Sequence, residues 1–337
     1  MPQSPAPHPT ADQIVEAIAR TRFLVDPIRT WTEDALREFV VERVRFGLRE
    51  SPDVEVLLDE EGGVVTGWVI LHHGSQEWAS GRPRSLIVQP THVTSPALLH
   101  EAVRRARLRG SELISADVST NAPEQNAHFI AAGFVPEMNR IIMRLDAEEA
   151  EKRSRALSPR AVERASRAYR VRRAEPSDSL TLIYLATACV PMMFHEQRAA
   201  DMDFIQMRFL ELYGELDLTP DSPYHVWVAE TPDGDLAGAI IIDVWHTKVV
   251  DRTWQAHVMD ISVLPDHWGR AVGVVLGARG VEGLTAEGVQ YVSGNIGTHN
   301  DRVMSLATRF GFVPEQTQYV RLLHTEAADD TEEPTHG

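Results

Sequence analysis

The sequence has a single cysteine, Cys189, so it has neither a disulfide framework nor a cysteine-based zinc site. It has no run of about 18 apolar residues, the length that a membrane-spanning helix needs. The first residues have neither the basic region nor the apolar region of a signal peptide, so we expect a cytoplasmic protein without a membrane anchor. Aromatic residues make up only 7% of the 337 residues, but 43% are hydrophobic. At roughly 100–200 residues per domain, that is enough material for two cores.

Basic residues are also scarce. The chain has 33 Lys and Arg against 49 Asp and Glu, which gives a net charge of -16. Such a charge argues against a nucleic-acid partner, because binding to phosphates requires a basic surface. Most of this excess of acidic residues lies in residues 174–337, which contain 25 acidic and 9 basic residues. Acidic surroundings of this kind would concentrate a small cationic molecule.

An internal repeat divides the chain. The pentapeptide GFVPE occurs at Gly133–Glu137 and again at Gly311–Glu315, 178 positions later. Two more pairs of segments match in the same order: Leu86–Pro90 with Ile261–Pro265, and Gly67–Ile70 with Gly238–Ile241. Collinear matches at nearly one offset indicate a duplicated domain.

Strand and helix patterns follow the same order in both halves, which predicts an α/β fold with a mixed sheet in each. We expect a first domain over residues 11–147, a basic linker over 148–167, a second domain over 168–325 and a disordered acidic tail over 326–337. Within the second domain, Tyr224–Glu230, Leu236–Trp245 and Gln255–Leu264 alternate as strands do, and Trp268–Glu287 has helical spacing.

The segment most informative about chemistry is VMDISVLPDHWGRAVG, residues 258–273. A strand ends at Pro265, a turn with glycines follows, and a helix begins. Backbone N–H groups at such a helix start can converge on a phosphate or pyrophosphate. The segment is neither GxGxxG nor GxxxxGK[ST], so it does not fit a Rossmann or P-loop site.

This segment resembles the signature of the GNAT superfamily of acyl-CoA-dependent N-acyltransferases, in which a strand and V-x-P precede (Q/R)-x-x-G-x-(G/A). The matching positions are Val263-Leu264-Pro265 and Trp268 to Gly273. Trp268 stands in place of Arg or Gln, and Ala271 in place of the first glycine. A second element of the family, an Asn followed eleven positions later by Gly-Phe, is matched by Asn300 and Gly311-Phe312.

The first half looks like a degenerate copy of the same family. Its loop, Pro90–Pro96, is two residues shorter and has no glycine, and Pro96 lacks an N–H donor. The resemblance therefore implies two tandem GNAT-like domains, each a mixed, mostly antiparallel sheet flanked by helices, with only the second expected to bind CoA well.

The resemblance also implies an activity: transfer of an acetyl group from acetyl-CoA, a co-substrate, to a primary amine by direct attack in a ternary complex. The acceptor would be a small cationic molecule, no metal would be needed, and a homodimer is possible. The N–H of Val263 would polarise the thioester carbonyl, and Asn300 would bond the pantetheine arm. The pyrophosphate would be held by the N–H groups of Trp268, Gly269, Arg270, Ala271, Val272 and Gly273, with Arg270, Arg302 and Arg309 as cationic contacts.

The proton-transfer groups remain open. Asp260, three residues before Val263, is the first candidate for the base or for binding the cationic amine. Asn295 stands where other members have a Glu base, and His257 and His299 are alternatives. The usual general-acid tyrosine is replaced by Ala307. Ser305 or Tyr319 could substitute, or the thiolate could leave unassisted.

These departures from the family pattern leave an alternative, a non-catalytic acyl-CoA-binding or regulatory protein. Cys189 lies in an apolar helix and is expected to be a core residue, which disfavours an acyl-cysteine intermediate.

Overall fold

The computed structural model describes residues 15–16, 32–34, 37–38, 41–42, 52–62, 64–146, 159–190, 201–246 and 254–323. The predicted acidic tail and the first part of the predicted linker lie outside these residues.

Both halves use the element types that the sequence pattern predicts. The first half contains β1 (Val54–Glu61), β2 (Val64–Gln76), β3 (Pro83–His92), α1 (Pro96–Leu108), β4 (Leu113–Ser119), α2 (Pro123–Ala131) and β5 (Val135–Arg144). The second contains α3 (Pro159–Ala168), β6 (Arg170–Arg173), α4 (Ser179–Cys189), α5 (Met202–Gly214), β7 (Tyr224–Glu230), β8 (Leu236–His246), β9 (Trp254–Val263), α6 (Val272–Ala286), β10 (Tyr291–Gly297), α7 (Asp301–Phe310) and β11 (Val313–Leu322).

The order of elements is the same twice: three strands, a helix, a strand, a helix and a last strand, over β1 to β5 and again over β7 to β11. The duplication predicted from the repeats is therefore confirmed at the level of topology. The predicted helix Trp268–Glu287 begins later, at Val272, because Pro265–His267 forms a separate 3-10 turn ahead of it.

The two halves exchange their last strands, which the sequence pattern did not predict. The described strands form one sheet of eleven in the order β1-β2-β3-β4-β11-β5-β10-β9-β8-β7-β6. The last strand of the second half thus pairs with β4 of the first, and the last strand of the first half pairs with β10 of the second. Each half completes the sheet of the other.

A local two-fold relation lies between the exchanged strands. Pro314 pairs with Ile141, and Tyr319 pairs with Pro136, so the 178-residue offset of the repeat maps one pair onto the other. The same relation holds for loop contacts, because Thr298 N–H donates to the Glu137 carbonyl and Thr120 N–H to the Glu315 carbonyl. The GFVPE repeats therefore mark the strands that join the halves.

Separate cores cover the sheet. The core of the first half includes Leu99, Phe129 and Phe134. In the second half, one face of the sheet packs against α4 and α5 and the other against α6 and α7. None of the helices in the described ranges is long and apolar enough to cross a membrane.

Candidate active site

The site begins where two parallel strands separate. β9 and β10 pair only from Tyr291 with Gln255 to Gly294 with Val258, although β9 runs on to Val263 and β10 to Gly297. Beyond the last pair the two strands leave an opening in the sheet.

Two cavities meet at this opening. The first, which we call the chamber, has a volume of about 510 Å³ and extends from α5 and the first half of the chain to α6. The second, the cleft, has a volume of about 440 Å³ and lies between the start of α6 and α7. The two cavities share lining residues: Ile261, Gly273, Asn300, Val303 and Leu306. A ligand lying in the cleft can therefore reach the chamber.

A β-bulge sets the direction of the side chains on β9. Ile241 pairs with Asp260, but Ile242 pairs with Val258, so Met259 is the extra residue. Bulges of this kind re-aim side chains next to sites. The side chain of Asp260 reaches Tyr213 on α5, whereas Ile261 packs in the core under α6.

The backbone N–H of Val263 is directed at the opening. Leu264 N–H donates to the Ala237 carbonyl, and β8 and β9 pair regularly from Gly238 with Val263 to Ile241 with Asp260. Residues in an antiparallel ladder alternate between bonded and non-bonded pairs, so Val263 belongs to a non-bonded pair. Its N–H therefore points away from β8, toward the side that β10 has left.

The loop before α6 contains two residues in the left-handed conformation. Gly269 and Ala271 both have positive φ, +75° and +64°. The N-terminus of α6 has no capping side chain. Trp268 N–H donates to the Pro265 carbonyl and Arg270 N–H to the His267 carbonyl. Those two donors are thus used within the turn.

Most of the residues that we predict to contact the CoA phosphates lie at the cleft. Trp268, Gly269, Ala271, Val272 and Gly273 line the cleft, and so do Arg302 and Arg309 on α7. Arg270 is exposed and is not among the residues lining the cleft. The N–H groups of Gly269, Ala271, Val272 and Gly273 remain as the set of donors at the helix start.

Trp268 joins the loop to the end of the strand. Its Nε1 donates to the Val263 carbonyl at 2.6 Å, and the guanidinium carbon of Arg302 lies 5.0 Å from the centroid of its ring. A cation–π contact of this kind contributes about 0.5–1 kcal/mol at an exposed site. The tryptophan that replaces the family's Arg or Gln thus holds a cation of α7 beside the cleft.

Asn300 has a structural role at the start of α7. Its Oδ1 accepts the N–H of Val303 at 3.1 Å and caps α7. The residue lines both cavities. The side-chain oxygen is committed to the cap, and the amide nitrogen of the side chain is the group that can donate to a ligand.

Asp260 is a buried carboxylate that lines the chamber and is only 8% exposed. The Tyr213 hydroxyl donates to its Oδ2 at 3.0 Å and the Ser262 hydroxyl at 2.7 Å. Burial raises the pKa of Asp260, while the hydrogen bonds from Ser262 and Tyr213 act in the opposite direction. A carboxylate with a raised pKa is a better base near neutral pH than an exposed one.

The other candidates for proton transfer are less well placed. His257 lines the chamber and bonds the Ser293 hydroxyl, but burial lowers the pKa of its imidazole to about 4, which makes it a weak base. His299 lines neither cavity, and Asn295 is an exposed part of the chamber wall. Tyr319 lies outside both cavities, in the core of the first half, with its hydroxyl bonded to Asn126.

Near the cleft, Ser305 lines the wall and Ala307 is buried. Cys189 is buried, as predicted, but it also lines the cleft, with its thiol 3.7 Å from the Val263 carbonyl. Burial raises the pKa of this thiol. The cysteine is therefore closer to the site than its apolar helix predicted, although its environment disfavours the thiolate.

The equivalent loop of the first half is built differently. The hydroxyls of Thr94 and Ser95 both donate to the carboxylate of Asp59, and α1 begins at Pro96. β3 and β4 also stop pairing before they end, but the rings of Phe129 and Tyr319 stack nearby in the core. The carboxylate of Asp59 on β1 thus contacts this loop, and Pro96 lacks an N–H at the position where the second half offers N–H groups.

Sequence reasoning missed Tyr213, Ser262 and the residues of the first half that line the chamber, among them Trp78 and Met138. Ser262 adjoins Asp260 on β9, and its position two residues away on a strand could have indicated a shared face. The others are distant in sequence and carry no motif. In the described part of the chain, no three His, Cys, Asp or Glu side chains are grouped so that they could hold a metal ion.

Comparison with known proteins agrees with this geometry. Residues 190–312 match the family described as Acetyltransferase (GNAT) family. The fold is similar to a GCN5-related N-acetyltransferase from Sphaerobacter thermophilus, with 14% identity and a TM-score of 0.51 over 84% of this chain and 85% of that one. A tandem GNAT protein from the clavulanic acid biosynthesis pathway aligns with 16% identity and a TM-score of 0.48 over 94% of this chain and 95% of that one. No curated protein sequence matches the chain.

The family match covers the opening, the cleft and the loop before α6, and the topology shows the same unit twice. Residues 190–312 of the second half therefore form an acetyltransferase domain of the GNAT family, and the first half repeats the same order of strands and helices.

Proposed function

We propose that the second half transfers an acetyl group from acetyl-CoA to the primary amine of a small cationic molecule, by direct attack in a ternary complex. The observation that carries this proposal is the buried carboxylate of Asp260 in a chamber that meets the cleft at the separation of β9 and β10. Acetyl-CoA in the cleft and an amine in the chamber would meet at that opening.

The CoA pyrophosphate would bind at the start of α6. The donors would be the N–H groups of Gly269, Ala271, Val272 and Gly273, supported by the helix dipole. Arg302 and Arg309 would supply positive charge from α7. The amide nitrogen of Asn300 would donate to the pantetheine arm. These contacts suit an anionic ligand in a domain whose overall charge is negative.

The reaction forms a bond between the amine nitrogen and the acyl carbon and breaks the bond from that carbon to sulfur. The Val263 N–H would donate to the carbonyl oxygen as negative charge develops on it. Asp260 would accept the proton that the ammonium group loses before it attacks. The sulfur would leave as a thiolate, which takes up the second proton that the nitrogen loses as the amide forms. A thiol with an ordinary pKa near 8.5 is a tolerable leaving group.

Direct attack is supported by the state of Cys189. Its buried thiol has a raised pKa, and a thiol rather than a thiolate is a poor nucleophile for taking up an acyl group. The first half is proposed not to bind CoA, because the carboxylate of Asp59 on β1 binds the hydroxyls of the equivalent loop.

Two assays test the proposal, one for the binding of acetyl-CoA and one for turnover. Acetyl-CoA should raise the melting temperature of the protein, and Gly273→Trp should abolish the shift, because a Cβ at this position would lie 3.1 Å from Leu306 at the junction of the cavities. Gly214→Trp is the matched control, since a Cβ there meets no atom within 4 Å.

Release of free thiol over a panel of amines measures transfer. Absence of an acetyl-CoA shift in the parent protein would refute the CoA assignment. A normal shift without thiol release for any amine would refute the transfer reaction and favour a non-catalytic CoA-binding protein.

A further inference from the structure

The hairpin between β2 and β3 belongs to the first half but packs into the core of the second. Ala79 at its tip is 1% exposed and lies in one core with the buried side chains of α4 and α5. The ring of Trp78 meets Phe209 edge-on, with centroids 5.4 Å apart. Gly81 has a φ of +66°, and a Cβ there would lie 2.8 Å from the ring of Phe204. Only glycine permits this approach.

The tip of this hairpin is held in a fixed shape. Glu77 accepts the Ala79 N–H at 2.9 Å and the Ser80 hydroxyl at 2.7 Å. Its own N–H donates to the Arg82 carbonyl at 2.8 Å. The Glu77 carboxylate thus binds within the hairpin, although it lines the chamber.

The chamber has an apolar wall made by both halves. Trp78 and Met138 come from the first half, and Phe209 and Leu212 from α5. Asp260 lies on β9 in the same chamber, next to the opening. An amine nitrogen bound at Asp260 would leave the rest of the acceptor against this wall.

We infer that the first half selects the acceptor, and that the acceptor is a monoamine with an apolar body. The inference rests on the proposed function and names its substrate class. Burial of methylene groups against such a wall is favourable, whereas hydroxyl or second amino groups lose their hydration there. Polyamines and aminoglycosides are therefore disfavoured.

A matched pair of amines tests this. Hexylamine and 2-(2-aminoethoxy)ethanol have the same charge and chain length but differ in polarity. With acetyl-CoA as donor, kcat/KM from thiol release should favour hexylamine by about tenfold or more. Trp78→Gln should reduce this ratio by about tenfold while the acetyl-CoA shift in melting temperature is unchanged, and Trp78→Phe should keep the ratio.

Trp254→Gln is the control for the loss of a tryptophan, because Trp254 is 39% exposed at the other end of β9 and lines neither cavity. Leu212→Gln changes the same wall from the side of α5 and should also reduce the ratio, which provides a second reading if Trp78→Gln loses its fold. Equal turnover of the two amines, or a ratio untouched by both wall variants, would overturn the inference and leave the proposed function standing. No turnover with any amine while acetyl-CoA binds would overturn the proposed function instead.

Discussion

Ala271, at the start of α6, offers a direct test of the loop that we assign to the pyrophosphate. It has φ +64° and ψ 20°, and it is the one non-glycine residue with positive φ in the part of the chain that the structure describes. The left-handed conformation costs an L-residue roughly 1–2 kcal/mol. Glycine adopts it freely but loses about 0.5–1 kcal/mol more backbone entropy on folding. We therefore expect Ala271→Gly to raise the free energy of unfolding by about 0.5–1 kcal/mol.

The assay is urea denaturation followed by circular dichroism, with the free energy of unfolding extrapolated to water. Ala278→Gly is the matched control, since Ala278 lies inside α6, where the same substitution costs about 1 kcal/mol. The two variants remove the same methyl group and should change stability in opposite directions. Acetyl-CoA affinity of Ala271→Gly should stay within about threefold of the parent, because a backbone N–H remains at that position.

A loss of stability in Ala271→Gly equal to that of Ala278→Gly would refute the strained conformation. The turn would then not present its N–H groups as the structure describes, and the pyrophosphate assignment would lose its main support.

Three further predictions concern the reaction. Asp260→Asn should lower kcat by about 10²–10⁴-fold. The same substitution should also raise the free energy of unfolding at neutral pH. The pKa of Asp260 lies above its ordinary 3.8 in the folded state, so the ionisation of this group lowers the free energy of unfolding as the pH rises through the folded pKa. Denaturation at several pH values should show this decrease in the parent protein and not in Asp260→Asn. Tyr213→Phe removes a donor to the carboxylate, so the acidic limb of the kcat/KM profile should move to higher pH, and an unmoved limb would exclude Asp260 as the base. Cys189→Ala should keep kcat within about threefold, because direct attack needs no thiol, and loss of thiol release in this variant would instead indicate an acyl-cysteine intermediate.

Much of the second half could be predicted from local patterns. The sequence predicts a strand over Tyr224–Glu230, and β7 has the same bounds, because β-branched and aromatic side chains suit a strand that is buried on both faces. The segment from Val263 to Gly273 is contiguous, and a strand end, a turn and a helix start depend mainly on neighbouring residues. The turn and the start of the helix were therefore predictable, whereas only the tertiary structure shows that the Trp268 and Arg270 N–H groups are used within the turn.

The partners of Asp260 could not be predicted. Tyr213 is 47 residues away on α5, and nothing in its own segment distinguishes it from a core tyrosine. The same limit applies to Trp78, since it reaches the chamber through a hairpin of the other half. Contacts of this kind depend on how helices and strands pack, which local periodicity does not encode.

The sequence by itself determined that one unit is repeated, that the second copy carries the GNAT signature, and that the first lacks its glycine loop. These features lie in short contiguous segments or are identical in sequence, so they can be recognised without the tertiary structure. The tertiary structure decided that β5 and β11 change places, because two copies of one strand have nearly the same pairing preferences and only packing chooses between them. That exchange, together with the hairpin of Trp78, makes the first half part of the chamber and joins the two copies in one candidate site.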